Sequence, residues 1–130
     1  MIVDTSALVA ILRDEPDAPR YASALAGERE PLLSAATFVE AAIVVDANRD
    51  PILSARFDDL LVIAQVKIEP VTSQHAELAR QAYRNYGKAS GHPAGLNFGD
   101  CFSYALARAR RDRLLFKGDD FIHTDVTPAL

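Results

Sequence analysis

The chain has 130 residues, of which 49% are hydrophobic and 25% charged, with one cysteine and a formal net charge of −4. This length suits one domain with a core of its own, and a single cysteine excludes an internal disulfide. No apolar run reaches the roughly 18 residues of a membrane span. The first residues look like a strand rather than a secretion signal, so we expect a cytoplasmic protein that is not bound to membranes.

Short apolar runs alternate with segments of helical periodicity along the whole chain. In chain order we predict a strand at 1–3, helices at 5–12 and 17–26, a strand at 31–34, helices opening at Thr37 and Pro51, a strand at 66–71, a helix capped by Ser73, a helix from Asn97 to 111, a strand at 114–116 and a short edge strand at 125–126. Strands that alternate with helices form a parallel sheet covered on both faces. We therefore predict a single α/β domain over residues 1–130, with three α/β/α layers and a central, mainly parallel sheet of four to five strands.

Acidic residues fall where predicted strands end and where predicted helices begin. They are Asp4 after the first strand, Glu40 and Asp100 at the start of two helices, and Asp119 or Asp120 after the last apolar strand. In an open parallel sheet these positions share one edge, so we expect the carboxylates to meet in one pocket. Such a pocket requires a cation, and oxygen ligands without histidine or thiol suit Mg²⁺ or Mn²⁺ better than zinc.

Each of these acids also has an ordinary structural explanation. Asp4 can cap a helix, Asp100 can compensate a helix dipole, and aspartates are common in turns. Thr37 and Glu40 match the spacing of a capping box. The convergence of all four positions on one sheet edge is much less expected by chance than any one of them. It favours a metal site, for which phosphodiester hydrolysis with one or two ions is a suitable chemistry.

Other classes of function fit the sequence less well. A phosphoacceptor signalling domain also gathers acids and Mg²⁺ at strand ends, but it requires adjacent acids after the first strand, where this chain has Asp4 and Thr5. No glycine-rich phosphate loop follows a strand, which disfavours a nucleotide-binding enzyme. A catalytically inactive domain that only binds RNA or a protein partner remains as an alternative.

Basic residues are concentrated in the second half of the chain, which bears on the choice of partner. Eight of the 14 lie between positions 80 and 117, where Asp100 and Asp112 are the only acids. A basic rim of this kind can bind a phosphate backbone, although a solvated helix face is the more common explanation. His75 is predicted on a helix surface, His92 is a candidate substrate contact in a loop, and Cys101 is predicted to be a small buried residue.

Four segments occur in order along the chain: MIVDTSAL at 1–8, SAATFVE at 34–40, LNFGDCFSYALA at 96–107 and LLFKGDDF at 114–121. Together they resemble the PIN-domain ribonucleases, and more narrowly the VapC toxins of bacterial type II toxin–antitoxin pairs. The resemblance implies a set of metal-binding acids: Asp4, Glu40, Asp100, Asp119 and Asp120. The fourth acid beside the first three is Asp119 or Asp120, with Asp119 taken as the catalytic one, and Ser6 is implied as a hydroxyl that supports Asp4.

The same resemblance implies an activity and a set of partners. The activity is Mg²⁺- or Mn²⁺-dependent endonucleolytic cleavage of RNA by a metal-activated water. The partners are a cognate VapB-type antitoxin that inhibits the toxin and a second copy of the chain. The helices around 17–26 and 51–65 are the candidate surfaces for the homodimer.

Overall fold

A four-stranded parallel sheet lies at the centre of the computed structural model, which describes residues 1–130. Its strands are β1 (Ile2–Val3), β2 (Leu32–Ser34), β3 (Lys67–Glu69) and β4 (Leu114–Leu115). They lie in the order β3-β2-β1-β4, and every neighbouring pair is parallel. Because parallel strands end at the same edge, the segments after β1, β2 and β4 are brought together there.

Helices cover both faces of this sheet. They are α1 (Thr5–Leu12), α2 (Ala18–Ala26), α3 (Ala35–Asp46), α4 (Pro51–Ile63), α5 (Ser73–Tyr86) and α6 (Phe98–Arg110), and a short 3₁₀ turn spans Phe121–His123. Val3, Leu33 and Leu115 pack with α1 to α4 on one face, whereas Ile2 and Leu114 pack with α5 and α6 on the other. The predicted three-layer α/β/α architecture is confirmed. None of the helices has the length and apolar character to cross a membrane.

The central strand β1 shows how strands of only two or three residues can hold the sheet together. Ile2 is paired with Leu32 on one side and with Leu114 on the other. Ile2 and Val3 are fully buried, one under each helical layer. Alternate side chains of a strand point to opposite faces, so each residue of β1 supports a separate core. Asp4 follows directly and is therefore fixed at the sheet edge.

Two predicted helix starts are wrong. Helix α3 begins at Ala35, and the Thr37 hydroxyl lies 3.1 Å from the hydroxyl of Ser103 instead of capping the helix. The capping box predicted for Thr37 and Glu40 is therefore not formed. Helix α5 is capped by Thr72, whose hydroxyl accepts a hydrogen bond of 3.1 Å from the His75 amide, and not by Ser73.

The buried face of α5 also differs from the prediction. His75 was expected at the surface, but its side chain is buried together with Ala79 and Ala82. Small alanines let α5 approach α6 closely, so the helix buries a narrow face and leaves Tyr83 about half exposed. The expected edge strand at 125–126 is reduced to one bridge between Leu114 and Pro128, since a proline has no amide hydrogen for a ladder.

Candidate active site

Asp4 is held rigidly at the C-terminal end of β1. One carboxylate oxygen accepts hydrogen bonds from the Ser6 amide (3.0 Å) and the Ser6 hydroxyl (2.6 Å), and the other accepts from the Ser103 hydroxyl (2.6 Å). The Ser6 hydroxyl in turn accepts from the Lys117 amide at 3.0 Å. The side chain of Asp4 is only 2% exposed, so these contacts fix its orientation in a buried environment. Ser6 lies beside Asp4, as the sequence resemblance implied.

Two hydroxyl groups that the sequence analysis did not select complete the support of Asp4. Ser103 donates to Asp4 and lies 3.1 Å from Thr37, and both side chains are fully buried. These contacts join β1, α3 and α6 at one point. Ser103 lies one helical turn after Asp100, so the (i, i+3) spacing of a helix face was a signal that could have identified it. Thr37 had no such signal, because its position depends on the packing of α3 against α6.

Glu40 lies in α3 and points to the start of α6. Its Oε1 accepts a hydrogen bond of 2.5 Å from the Thr5 hydroxyl. A Cβ atom at position 99 would lie 1.5 Å from Glu40 Oε2, so glycine at this position leaves room for the Glu40 carboxylate. Burial raises the pKa of Glu40, the Thr5 hydrogen bond opposes this, and the charge of Asp4 raises the pKa further.

Asp100 is buried in the first turn of α6, where it forms a capping box with Asn97. The Asp100 amide donates to the Asn97 side chain at 2.9 Å, and the Asp100 carboxylate accepts from the Asn97 amide at 3.0 Å. The pKa of Asp100 is raised to about 7. Burial is the main cause, the Asn97 amide opposes it, and the negative charges of Asp4, Asp120 and Glu40 add to it.

The fourth acid comes from the turn after β4. Asp119 and Asp120 are both exposed there, and the buried Phe121 anchors the turn immediately after them. The negative charge of Asp120 is one of the causes of the raised pKa of Asp100. The spacing of the sequence left this choice open, and the electrostatics of the folded chain favour Asp120 as the acid that reaches the pocket.

No positive side chain of the protein compensates this group of acids. None of Asp4, Glu40, Asp100, Asp119 and Asp120 takes part in a salt bridge. Lys117 precedes the turn, but its ammonium group pairs with Glu15 and Asp17 outside the pocket, and these two acids raise its pKa. The pocket therefore keeps a concentrated negative charge.

The donor set fits a hard divalent cation, although the side chains do not form a ready-made cluster. No three or more His, Cys, Asp or Glu side chains are grouped closely enough to hold a metal by themselves. Mg²⁺ keeps several waters and usually needs only one or two carboxylates from the protein. A pocket of oxygen donors with no cation of its own satisfies that requirement.

Histidine and cysteine lie outside this chemistry. His75 is buried on α5, and His92 accepts a hydrogen bond of 3.1 Å from the Ala94 amide while its ring packs on Tyr86. Cys101 is buried as predicted, and burial raises the pKa of its thiol to about 11, with a further contribution from Asp100. A thiol with such a pKa stays protonated near neutral pH and is a poor nucleophile.

Comparison with known proteins identifies the family of this fold and site. The PIN domain family matches residues 1–126. The chain is 58% identical over 130 residues to VapC ribonuclease Mb0625 of Mycobacterium bovis and to ribonuclease VapC28 of Mycobacterium tuberculosis, covering 100% of this chain and 98% of each relative. It is 48% identical over 126 residues to ribonuclease VapC30 of Mycobacterium tuberculosis, covering 97% of this chain and 95% of that relative.

Solved structures share the same fold. A toxin–antitoxin complex from Klebsiella pneumoniae matches with a TM-score of 0.72 at 17% identity, covering 99% of this chain and 97% of that chain. The crystal structure of Mycobacterium tuberculosis VapC20, a sarcin–ricin loop cleaving toxin, matches with a TM-score of 0.71 at 19% identity, covering 98% of both chains. The chain belongs to the PIN-domain family. Within that family, the full-length identity to VapC ribonucleases makes it a VapC-type PIN domain.

Proposed function

We propose that this protein is a metal-dependent endoribonuclease and the toxin of a VapBC-type toxin–antitoxin pair. The observation that carries the proposal is the placement of Asp4, Glu40 and Asp100 at one sheet edge, where hydrogen bonds from Ser103 and Thr5 and the close approach of Gly99 to Glu40 join their segments, and where none of these acids has a salt bridge. The full-length relatives named VapC ribonucleases support RNA as the substrate. Phosphodiester hydrolysis requires positive charge at the attacked phosphate, and a pocket of this kind recruits it.

Mg²⁺ or Mn²⁺ is the cofactor that suits these ligands best. Asp4 still has acceptor capacity beyond its three hydrogen bonds, because a carboxylate offers about four lone-pair sites. Asp100, Glu40 and Asp120 would complete the oxygen donor set. When bound, the divalent ion would activate water and neutralise charge on the attacked phosphate and on the leaving oxygen.

The protein side chains have separate tasks in this proposal. Ser6 and Ser103 hold the Asp4 carboxylate in one orientation, which fixes the position of the ligand set. Glu40 is half-buried and has a raised pKa, which suits it to accept a proton from the attacking water. In-line attack on the phosphorus would leave a 5′-phosphate on one fragment and a 3′-hydroxyl on the other.

Protein partners form the second part of the proposal. An antitoxin is supported by the likeness of the fold to a chain in a toxin–antitoxin complex. A homodimer is supported by large aliphatic side chains that α4 leaves in solvent: Ile52, Val62 and Ile63. Light scattering of the purified protein tests the dimer, and substitution of Val62 and Ile63 by Ser should shift it toward the monomer.

The decisive experiment is incubation of the purified protein with total RNA in Mg²⁺, Mn²⁺ or excess chelator, followed by mapping of new 5′ ends. We expect cleavage only with the metal, and loss of cleavage in Asp4→Asn and Asp120→Asn proteins that keep their circular dichroism spectrum. Asp58→Asn on the exposed surface of α4 is the matched control and should cleave normally. Equal cleavage by the pocket variants and by the control would refute the proposed mechanism.

A further inference from the structure

An open groove of about 600 Å³ lies between α5 and α6, next to the candidate active site. Its walls include two aromatic side chains, Tyr83 and Phe98, and two basic ones, Arg80 and Lys88. The groove has an apolar floor and a positively charged rim. Neither the packing of the core nor the acid pocket requires this combination. Both features are explained if the groove has a ligand that is flat and negatively charged.

Phe98 is the most unusual of these side chains. It is 78% exposed, although it is a large apolar residue in the first turn of a buried helix. The edge of one ring meets the face of the other in its contact with Phe102, with ring centroids 4.9 Å apart and planes at 75°. Large hydrophobic side chains exposed on α3 and α4 are aliphatic, as at Ile43 and Val62, so exposed aromatic rings distinguish this groove. A flat ring open to solvent is a stacking surface.

The positive charges beside the groove are free. Arg80, Arg84 and Lys88 are spaced four residues apart, and none of them forms a salt bridge. By contrast, four basic side chains further along the chain are each paired with an acid: Arg108, Arg110, Arg113 and Lys117. Unpaired cations beside an apolar floor complement a ligand that carries phosphates.

The groove and the acid pocket use opposite sides of the same short segment. Asn97 and Phe98 line the groove, whereas Gly99 contacts Glu40 and Asp100 lies among the acids. Phe98 and Asp100 are two residues apart, so their Cα atoms are separated by at most about 7 Å. A nucleotide bound in the groove would therefore neighbour a phosphate in the pocket.

We propose that the α5–α6 groove binds a base of single-stranded RNA next to the phosphate that is cleaved. The base stacks on Phe98 and Tyr83, and Arg80 and Lys88 neutralise the adjoining phosphates. This inference rests on the proposed ribonuclease function and adds a substrate-binding site to it. Stacking on aromatic side chains accepts every base, so the groove contributes affinity and register more than sequence preference.

Binding without cleavage tests the stacking surface. The probe is a short oligouridine with a single 2-aminopurine, studied in excess chelator, where stacking quenches the fluorescence of the modified base. We expect quenching by the wild-type protein, loss of quenching and about tenfold or more weaker binding by Phe98→Ala, and retention of both by Phe98→Trp. Ile43→Ala removes another exposed apolar side chain, on α3, and should bind like the wild type.

The salt dependence of the same binding tests the charges. Arg80→Gln and Lys88→Gln should each lower the slope of log K against log salt by about 0.7, the value for one phosphate of a single strand. Arg29→Gln, between α2 and β2, removes an exposed arginine that has no salt bridge and should leave the slope unchanged. An equal loss in all three variants would mean that net charge alone controls binding, and it would overturn the assignment.

Cleavage kinetics separate this inference from the proposed function. With metal, Phe98→Ala should raise KM about tenfold and leave kcat within about twofold, because the acids are unchanged. If the wild-type protein quenches the probe but never cleaves RNA, the nuclease proposal fails and the base-binding site stands. If it cleaves RNA and Phe98→Ala binds, quenches and cleaves as the wild type does, the groove assignment is wrong and the groove is left to a protein partner.

Discussion

Two buried acids at equivalent places in the sheet, Glu69 and Asp4, have opposite surroundings: one has cationic partners and the other has none. Glu69 ends β3 as Asp4 follows β1, but the Lys67 ammonium lies 3.0 Å and the Arg110 guanidinium 2.9 Å from its carboxylate. These cations hold the pKa of Glu69 below its usual value against the effect of burial. In the pocket beside Asp4 no cation is present, and the pKa of Asp100 is raised to about 7. A strand-end acid is therefore structural when the chain supplies its partner, and available for a ligand when it does not.

The largest effect that distinguishes the two sites is expected for Asp100→Asn. We expect cleavage to fall about a hundredfold or more, in the range found when a group essential to proton transfer or metal binding is lost. The amide oxygen of the new side chain can still accept from the Asn97 amide, so the cap of α6 is preserved. Single-turnover cleavage assays measure the loss, and undiminished cleavage would remove Asp100 from the mechanism.

The same variant should stabilise the metal-free protein at high pH. Because the pKa of Asp100 is raised from 3.8 to about 7, the folded state keeps a proton that the unfolded state releases between these values, so stability falls as pH rises across this range and the full penalty is present above it. Asn does not titrate and avoids this penalty. Urea unfolding in chelator should show the variant more stable by at least about 1 kcal/mol at about pH 8, with a smaller difference at about pH 5. A difference that does not change with pH would contradict this explanation.

Gly99→Ala tests how the pocket depends on close packing. The added Cβ would lie 1.5 Å from Glu40 Oε2, so the Glu40 carboxylate must move away from its place beside Thr5. We expect a loss of activity of about tenfold to a hundredfold with little change in stability, since the end of a flexible side chain can shift. Gly27→Ala is the matched control, because the nearest atom there is 3.4 Å away. Adding Glu40→Asp, which shortens the side chain, should restore part of the activity of Gly99→Ala.

Ser103→Ala should affect stability and metal binding together. It removes the hydrogen bond to Asp4 and leaves Thr37 without its hydroxyl neighbour in a fully buried place. We expect a cost of about 1–3 kcal/mol in stability and weaker metal affinity by about tenfold. Thermal unfolding and calorimetric titration with Mn²⁺ measure the two effects. Unchanged affinity would show that Asp4 is oriented by Ser6 alone.

The smallest effect on RNA cleavage is expected for Glu69, the acid that is paired with Lys67 and Arg110. Glu69→Gln should leave RNA cleavage unchanged and cost less than about 1 kcal/mol near neutral pH, because both cationic partners are largely exposed. The lowered pKa of Glu69 means that its contribution is present above its usual pKa and is lost as pH falls through the folded value. The difference between variant and wild type should therefore shrink under acid conditions. A large loss of cleavage would refute the division between the two sites.

The sequence predicted the acids better than the contacts that hold them. Asp4 and Asp100 could be placed because strand ends and helix starts share one edge of a parallel sheet. Glu40 was found as well, but the capping box assigned to it is absent, since Thr37 turns to Ser103 instead. Such contacts join residues that are distant in the chain, and spacing along one element carries no information about them.

The α5–α6 layer shows the same limit. The helical spacing of the apolar residues of α5 by itself favours an inward-facing Tyr83, but Ala79 and Ala82 are the buried ones and Tyr83 is about half exposed. Phe98 has the helical spacing of Phe102 and Ala105, which by itself favours a packed side chain, but it is 78% exposed. Hydrophobicity alone does not distinguish an aromatic ring that is buried in a core from one that is exposed at the surface.

Lys117 has a consequence for how the pocket meets its surroundings. Its backbone amide supports Ser6, while its ammonium group is held by Glu15 and Asp17 in the connection between α1 and α2. The ammonium group of Lys117, the residue just before the turn of Asp119 and Asp120, is thus held by acids outside the pocket. A positive charge that neutralises the carboxylates must therefore come from outside the protein. An incoming metal ion or a basic side chain of another protein has to displace water from the carboxylates, but no side chain of this protein.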